Sequence, residues 1–387
     1  MQHSVSDPLF LVPAAIALVC ALAVIYPYIV YPAILGLLPK RPIRRGHADA
    51  GDGHQFTLLF CAYNEAESMP AKLANIRDLK QKHPRLSVLA FDDASDDGTA
   101  EMIARESEHI RLFTGAGRNG KAHGMKLLAA QAETEYLVFT DANVLLDLNA
   151  LDALSACYAD QTVGGVCGAL KYLGGDETST AAVGGLYWRM EERLKDLESS
   201  TGSVMGADGS VFSTRRALYP NFPDTVLDDL TVSMETVFRG YRLIKSNDVV
   251  AYERLVSARS DEFTRKIRIA ARAFGTHSYL RPKRCKMTFY DRFRYMSHKT
   301  IRWFGGAFLA VGLVAAIAAA GVVSPLLALV LLVVVGLAMA VGLSTHRGIL
   351  SSCTEVVIAM VATLVGVNRA MRGHTAATWS PAKSRSA

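Results

Sequence analysis

Paired cysteines, a high charge density and a basic, aromatic face suited to reading nucleic acid are all missing from this sequence. Its six cysteines show neither a CxxC motif nor a paired spacing, which argues against a disulfide framework and indicates reduced, structural thiols. Only 20% of the 387 residues are charged, fewer than in a typical soluble domain. The net charge of +6 lies mainly beside apolar stretches, which suits an anionic membrane leaflet, so no nucleic-acid partner is expected.

Charge is absent from two long stretches, one near each end of the chain. Pro8–Pro39 has no charged residue and is long enough to cross a bilayer as a kinked helix. The run is too long, and its amino end too poor in basic residues, for a cleavable signal peptide. Basic residues follow at 40–45, so the positive-inside rule predicts that the next segment lies in the cytoplasm.

The second uncharged stretch, Trp303–Thr345, is broken at Gly321–Pro325 and predicts a transmembrane helical hairpin. Just before it, Asp291–Trp303 mixes aromatic and basic residues and predicts an amphipathic helix in the membrane interface. Ile349–Val367 is a weaker candidate, because Glu355 interrupts it. If this third segment spans, the basic tail that follows lies outside; if it lies in the interface, the tail stays in the cytoplasm.

Strands alternate with helices between these stretches. Short apolar runs typical of buried strands lie at 55–63, 86–91, 110–113 and 136–139, and we expect a helix after each of the first three. This alternation predicts an α/β domain with a parallel sheet. A Gly-rich strand at Val163–Leu173, a long helix around Trp188 and helices at 228–240 and 261–280 are expected to follow. Acidic and polar residues recur where the strands end, which is where such sheets bind ligands.

The strand at 136–139 runs directly into Thr140-Asp141-Ala142-Asn143. Asp141 and Asn143 carry oxygens that can bind one divalent cation, Mg²⁺ or Mn²⁺, shared with substrate phosphates. A strand that ends in an Asx-turn without any metal would have the same sequence. The residues alone leave both interpretations open.

Two further positions have the chemistry of a reacting site. Lys121 begins a helix after a glycine turn, where an ammonium and backbone N–H groups favour a phosphate, although a plain surface lysine is equally consistent. Asp228 and Asp229 open another helix. A like-charged neighbour and partial burial raise the pKa of a carboxylate, which suits a proton acceptor, but acidic residues also stabilise helix N-termini in any protein.

Seven motifs occur here in the order seen in membrane-bound family 2 glycosyltransferases, which the chain resembles over roughly residues 55–303. They are Asn64-Glu65, DDASDDGT at 92–99, GRNGKAHGM at 117–125, TDAN at 140–143, ADGSVFSTRR at 207–216, LDD at 227–229 and RKIR at 265–268. That family includes synthases of cellulose, hyaluronan, chitin oligomers and poly-N-acetylglucosamine. The resemblance implies an α/β fold: a GT-A, Rossmann-like domain with a mixed, mainly parallel sheet, flanked by transmembrane helices.

The resemblance also implies roles for the matching residues. Asp229, beside Asp228, corresponds to the general base, and Arg268 to an arginine that binds the departing diphosphate. Asp93 resembles the aspartate that contacts the uridine of a UDP-sugar. The other residues expected at the donor are Asn64, Glu65, Asp92, Lys121, Asp141, Asp208 and Arg265, with Asp141 and Asn143 as ligands of Mg²⁺ or Mn²⁺.

This chain departs from the family pattern at three of these positions. Asn143 stands where the family often has a second aspartate, so one negative charge is missing. Arg265 replaces a glutamine of the family's Gln-x-x-Arg-Trp motif, and Ile269 replaces its tryptophan. The missing ring could have supported a growing sugar chain, so its loss argues against processive synthesis.

We therefore expect inverting transfer of a sugar from a UDP-sugar to a saccharide acceptor, in exopolysaccharide or cell-envelope glycan synthesis. Two alternatives remain: a non-processive transferase for a polyprenyl-linked acceptor, and a non-catalytic membrane regulator that binds a nucleotide. The expected organisation is an anchor with a basic flank at 1–46, a cytoplasmic GT-A domain at 47–280, an interfacial helix at 281–303, and a hairpin, third apolar segment and tail at 304–387. The expected location is a bacterial-type inner (plasma) membrane, crossed several times.

Overall fold

The computed structural model of the protein describes residues 8–46, 54–173, 179–254, 259–345 and 348–374. Residues 47–53 and the part of the basic tail after residue 374 lie outside these ranges. All six cysteines lie within them and are free thiols, four of them buried. This agrees with the prediction of reduced, structural cysteines.

Two helices occupy the uncharged N-terminal stretch, where we predicted one kinked helix. They are α1, Pro8–Ile25, and α2, Val30–Leu37, and only α1 is long and apolar enough to span a membrane. Tyr31 and Leu35 of α2 are fully buried, and the Tyr31 hydroxyl donates to Glu198 at 2.7 Å. The prediction of a single helix was wrong, because α2 packs on the body of the protein, where a carboxylate satisfies its buried hydroxyl.

One mixed sheet forms the centre of the protein. Its strands are β1, Phe56–Ala62; β2, Ser87–Asp92; β3, Arg111–Thr114; β4, Tyr136–Asp141; β5, Leu145–Leu146; β6, Val163–Leu173; β7, Val211–Arg215; and β8, Arg242–Arg254. Their order is β3-β2-β1-β4-β7-β6-β8-β5. The first four pair in parallel, as predicted, and β7 lies antiparallel between β4 and β6.

Helices cover both faces of this sheet. They are α3, Met69–Lys82; α4, Thr99–Ala104; α5, Lys121–Gln131; α6, Ala150–Tyr158; α7, Ser179–Thr201; α8, Asp228–Phe238; and α9, Arg259–Tyr279. One apolar core lies between the sheet and α3, α4 and α6, and another between the sheet and α5 and α8. The sheet therefore aligns the carboxyl ends of β1, β2 and β4 at one edge, with α5 and α8 on the same face.

Strand β8 is the longest of the strands that the sequence pattern does not predict. Its residues, RLIKSNDVVAYER, are too polar and irregular to show a strand period. It pairs in parallel with β6 through two irregularities in register, and antiparallel with the short β5. Buried partners make the charged residues acceptable: Lys245, for example, pairs with Glu192 at 3.0 Å.

The segment predicted as an interfacial amphipathic helix, Asp291–Trp303, is helical throughout, and part of it is buried against α7. After α10, Arg281–Arg284, it divides into α11, Phe289–Tyr295, a π-helical segment, Met296–Thr300, and α12, Ile301–Trp303. His298 is fully buried and lies 2.9 Å from both Glu191 and Glu198 of α7. Its basic and aromatic residues thus serve a buried contact between helices, which a sequence pattern cannot distinguish from a surface facing lipid.

The predicted C-terminal hairpin is present. It consists of α13, Gly305–Val323, and α14, Pro325–Ser344, followed by α15, Ile349–Met371. With α1, these make four described helices that are long and apolar enough to cross a membrane. Helix α13 packs along α1 and α14. Membrane association follows from this set.

Helix α15 lies against the sheet domain as well as the hairpin. A Cβ on Gly366 would come within 2.5 Å of the Ile267 carbonyl oxygen and 2.7 Å of Ala270 Cβ, both on α9. Nearer its start, Thr354 lies against Gly342 at the end of α14, and Glu355 is buried. Because α9 and α15 pack side by side, α15 links the sheet domain to the hairpin.

We expect Gly366→Ala to destabilise the protein by about 1–3 kcal/mol, the usual cost of overpacking. The added methyl group meets backbone atoms of α9, which cannot move aside without separating the two helices. The thermal unfolding temperature of the detergent-purified protein measures this loss. Gly336→Ala on α14 is the matched control, because a Cβ there meets nothing within 4 Å. Equal unfolding temperatures for the two variants would contradict the proposed packing.

Candidate active site

The polar residues after β1 and β2 bind one another and shape one edge of the sheet. Asn64 has φ 52°, and its side-chain amide donates to Asp96 at 2.7 Å. Asp92 accepts from the Ser95 hydroxyl at 2.5 Å. Glu65 lies at the same edge, where it accepts from the Ser68 hydroxyl. Asn64 therefore joins the two loops through its side chain, whereas Asp92 shapes the loop after β2.

Asp93 holds the loop that precedes α5. Its fully buried carboxylate accepts from the backbone N–H groups of Asn119 and Gly120 and from Nε of Arg118. The Arg118 guanidinium in turn lies over the ring of Tyr63, 3.2 Å from its centroid. Gly120 has φ 92°, a conformation that glycine adopts without strain. Asp93 thus sets where α5 begins, and with it the position of Lys121.

Lys121, Asp141 and Asp229 converge around Gly209. The Lys121 ammonium donates to Asp141 Oδ1 at 2.6 Å. A Cβ on Gly209 would lie 2.9 Å from Lys121 Nζ, 3.3 Å from Asp229 Oδ2 and 4.0 Å from Asp141 Oδ2. Residues from α5, β4 and α8 therefore approach position 209 so closely that a Cβ there would crowd the Lys121 ammonium.

The electrostatics of this cluster shift two pKa values. Burial and the neighbouring charge of Asp228 raise the pKa of Asp229 to about 7, while Lys121 and the Leu230 backbone N–H act in the opposite direction and Asp208 adds to the rise. Burial alone would lower the pKa of Lys121, but Asp141, Asp228 and Asp229 together raise it well above its usual value. Lys121 therefore stays charged, and Asp229 changes protonation state near neutral pH.

Asp228 and Asp208 both lie close enough to this cluster to act on Asp229. Asp228 is buried, and its Oδ2 has no hydrogen-bond partner among the described atoms. Asp208 accepts from Lys195 of α7 at 2.6 Å, and Lys195 Nζ also lies 5.0 Å from the centre of the Trp188 ring. The predicted pair Asp228-Asp229 thus divides into one buried and one more accessible carboxylate.

Asn143 contacts a carboxylate that the sequence did not suggest for this site. Its side-chain nitrogen donates to Glu253 Oε1 at 3.1 Å, and Glu253 is 8% exposed near the end of β8. Ala142 and Val144 are buried in the core, whereas Asp141 and Asn143 are partly exposed. Glu253 and Gly209 are the two positions that sequence reasoning missed, although Gly209 directly follows the quoted Asp208.

Comparison with known families shows what this part of the chain is similar to. Residues 57–220 match the model of Glycosyl transferase family 2. This segment is a family 2 glycosyltransferase domain. It contains Lys121, Asp141 and Asp208 and ends before Asp229. Among curated proteins no match is found.

Solved structures support a GT-A type of fold for the glycosyltransferase domain and its flanking helices. The mannosyltransferase PcManGT from Pyrobaculum calidifontis, in complex with GDP-Man and Mn²⁺, has a TM-score of 0.73 and 24% identity, with 92% of this chain and 99% of that chain covered. TarS 1–349 from S. aureus with UDP-GlcNAc has a TM-score of 0.45 and 12% identity, with coverage of 82% and 92%. The second similarity is too low to add to the fold assignment.

Arg265 and Arg268 lie on α9, after the segment matched to the glycosyltransferase family. Helix α9 forms hydrogen bonds with the residues just before α8. Arg272 donates to the Val226 carbonyl at 3.0 Å, and the Leu227 backbone N–H donates to Thr276. Arg268 precedes Arg272 by four residues and so lies on the same face of the helix, one turn earlier. This face of α9 is directed toward the start of α8, which carries Asp228 and Asp229.

The donor atoms of the glycosyltransferase domain fit a divalent cation shared with a substrate. The described ranges contain no group of three or more His, Cys, Asp or Glu side chains that could hold a metal. Asp141 is partly exposed and its Oδ1 already accepts from an ammonium, so the site favours positive charge. Mg²⁺ and Mn²⁺ at phosphate sites commonly use one or two protein oxygens and complete their shell with phosphates and water. Asp141 and Asn143 meet that requirement.

Proposed function

We propose that the protein is an inverting hexosyltransferase that moves a sugar from a UDP-sugar donor to a saccharide acceptor at the membrane. The observation that carries this proposal is the convergence of Lys121, Asp141 and Asp229 around Gly209. It supplies a proton acceptor, a positive charge and an oxygen ligand within one small site. The family 2 match agrees with this chemistry.

Asp229 is the general base in this mechanism. It removes the proton of the acceptor hydroxyl as that oxygen attacks the anomeric carbon. One carbon–oxygen bond forms, the bond from that carbon to the diphosphate breaks on the opposite side, and the configuration inverts. The products are the glycoside and a nucleoside diphosphate. A pKa near 7 lets Asp229 both accept this proton and release it to solvent afterwards.

Lys121 and the arginines of α9 stabilise the charge that develops on the leaving diphosphate. Lys121 is held beside the site by Asp141, and Arg268, with Arg265, approaches from α9. Asp141 and Asn143 would hold a divalent cation, which would supply further positive charge against the diphosphate. Preorganised positive groups act strongly in a partly buried site because they need not reorganise during the reaction.

The loops after β1 and β2 form the proposed nucleoside site. Asp93 is proposed to contact the uridine, with Asn64, Glu65 and Asp92 shaping the surrounding loops and Asp208 lining the diphosphate side. Arg118 over Tyr63 adds a flat surface beside Asp93 on which a base can stack. PcManGT was solved with GDP-Man, so guanosine donors belong in any test of donor specificity.

The glycosyltransferase domain is proposed to lie on the cytoplasmic side of a bacterial-type inner membrane, in exopolysaccharide or cell-envelope glycan synthesis. Basic residues after α1 and the packing of α15 along α9 support this orientation. The same packing favours a second candidate acceptor, a polyprenyl-linked saccharide, because α9 joins the site to an apolar helix at the membrane. A non-catalytic regulator is the third possibility, and the raised pKa of Asp229 is evidence against it.

Release of nucleoside diphosphate from a panel of UDP- and GDP-sugars tests this function. We expect one donor to be turned over by the detergent-purified protein with Mn²⁺ or Mg²⁺, and EDTA to abolish the release. A single added sugar on a polyprenyl-linked acceptor would identify the second candidate, whereas a ladder of products would identify chain extension. Tight nucleotide binding without turnover of any donor–acceptor pair would leave the regulator as the better account.

We expect the pH–rate profile to rise with pH through an apparent pKa near 7, because Asp229 must be ionised to accept a proton. Removing the charge of Asp228 by Asp228→Asn removes one of the causes that raise this pKa. The acidic limb of kcat/KM should therefore move to lower pH. An unchanged limb in Asp228→Asn would show that another group controls the profile.

A further inference from the structure

The proposed cation motif, Asp141 to Asn143, has one carboxylate fewer than the family pattern. The fold places the carboxylate of Glu253 next to this motif. Asn143 occupies the second ligand position, and its amide has no charge. Glu253, 110 residues further along the chain, accepts a hydrogen bond from the Asn143 side-chain nitrogen at 3.1 Å. The site therefore regains the negative charge that the sequence motif is missing, although from a different strand.

Strand pairing determines this contact. Directly after the motif, Leu145 of β5 pairs antiparallel with Tyr252 of β8, and Leu146 pairs with Ala251. Glu253 is the next residue beyond this pair, on the side of the motif. The two-residue strand β5 thus places the end of β8 beside Asn143. Glu253 is 8% exposed, so its carboxylate is held in place rather than free to reach solvent.

The chemistry of the two groups fixes the orientation of the amide. An ionised carboxylate can only accept hydrogen bonds, whereas a side-chain amide has a nitrogen that donates and an oxygen that accepts. Facing Glu253, Asn143 must present its nitrogen, so its Oδ1 is directed away from Glu253. A partly exposed asparagine without such a neighbour could adopt either orientation, and only one of them offers an oxygen to a cation.

We propose that Glu253 is a positioning residue that turns Asn143 into an oxygen ligand and supplies the second negative charge of the cation site. This inference rests on the proposed function, which places a divalent cation at Asp141 and Asn143. Groups that hydrogen-bond a metal ligand change metal affinity by about 10- to 100-fold when they are removed. Glu253 contributes in addition by its charge close to the cation.

Two variants test the inference through metal binding rather than activity. Glu253→Gln keeps the shape of the side chain but removes its charge and allows Asn143 to turn. We expect it to weaken Mn²⁺ binding at least about tenfold. Combining Glu253→Gln with Asn143→Asp in a double variant should recover most of that loss. An aspartate at position 143 needs no orienting partner, carries the missing charge and can accept from the glutamine amide.

The measurement is the free Mn²⁺ signal in electron paramagnetic resonance, titrated with the detergent-purified full chain at saturating UDP, and again with GDP. Asp196→Asn is the matched control: Asp196 accepts from an asparagine of the same strand, Asn247, at 3.1 Å, but on the surface. Its Mn²⁺ affinity should equal that of the wild type.

The outcomes separate this inference from the proposed function. Unchanged Mn²⁺ affinity in Glu253→Gln, or a loss that Asn143→Asp fails to recover, would overturn the role of Glu253 while leaving the cation site intact. Absence of a nucleotide-dependent Mn²⁺ site in the wild type would overturn the proposed cation site itself, and the inference with it. A loss of Mn²⁺ affinity in Glu253→Gln that Asn143→Asp recovers would support both the cation site and the role of Glu253.

Discussion

Asp229→Asn is expected to lower kcat by about 10²- to 10⁴-fold, the range that a general base contributes. The asparagine side chain has nearly the same shape, but it cannot take the proton of an attacking hydroxyl. Nucleotide binding should persist, because the proposed nucleoside site lies at the ends of β1 and β2 rather than on α8. Release of nucleoside diphosphate measures the rate, and calorimetric titration with UDP measures the binding.

A matched control for this variant lies four residues before Asp228. Asp224 pairs with Lys126 at 2.6 Å, outside the cluster around Gly209. Asp224→Asn therefore removes a carboxylate from the same stretch of chain, and its kcat should stay within about twofold of the wild type. A full rate in Asp229→Asn would remove Asp229 from the mechanism and reopen the choice of base.

Lys121→Gln is expected to lower kcat/KM by about 10²- to 10³-fold, comparable to losing one preorganised group that stabilises transition-state charge. Lys121 is the positive group common to Asp141, Asp228 and Asp229. Without it, those carboxylates would repel a diphosphate. Steady-state kinetics over a range of donor concentrations measure the effect, and Lys126→Gln on the same helix is the control.

The pH dependence distinguishes this electrostatic role from simple misfolding. The charge of Lys121 lowers the pKa of Asp229, whereas the charge of Asp228 raises it. The acidic limb of kcat/KM should therefore move to higher pH in Lys121→Gln and to lower pH in Asp228→Asn. Shifts in the same direction would contradict the arrangement of charges described around Gly209.

Local signals in the sequence predicted most of the sheet but not its last long strand. The cores of β1, β2 and β4 are continuous apolar runs, and buried parallel strands have that composition in most proteins. Strand β8 carries charged residues, such as Lys245 and Glu253, that are buried only because distant side chains pair with them. The periodicity of a local sequence cannot reveal such pairing, since the partners lie many residues away.

The membrane-facing segments show the same limit. Length and absence of charge identify α1, α13 and α14, because the bilayer imposes a minimum apolar length. The same property did not reveal that Tyr31 of α2 is buried against Glu198, or that His298 lies between two glutamates of α7. An apolar or amphipathic pattern reports that a surface is covered, but it does not say whether lipid or protein covers it.

By itself, the sequence determined the family resemblance, the parallel first half of the sheet and the individual candidates Lys121, Asp141 and Asp229. Each of these depends on residues that are adjacent in the chain, where motif and period are visible. Only the tertiary structure decided that these three residues meet at Gly209, that Asp228 is buried beside Asp229, and that Glu253 faces Asn143. Those contacts join α5, β4, α8 and β8. Strand pairing and helix packing bring such distant segments together through many small interactions, which cannot be read from any single stretch of sequence.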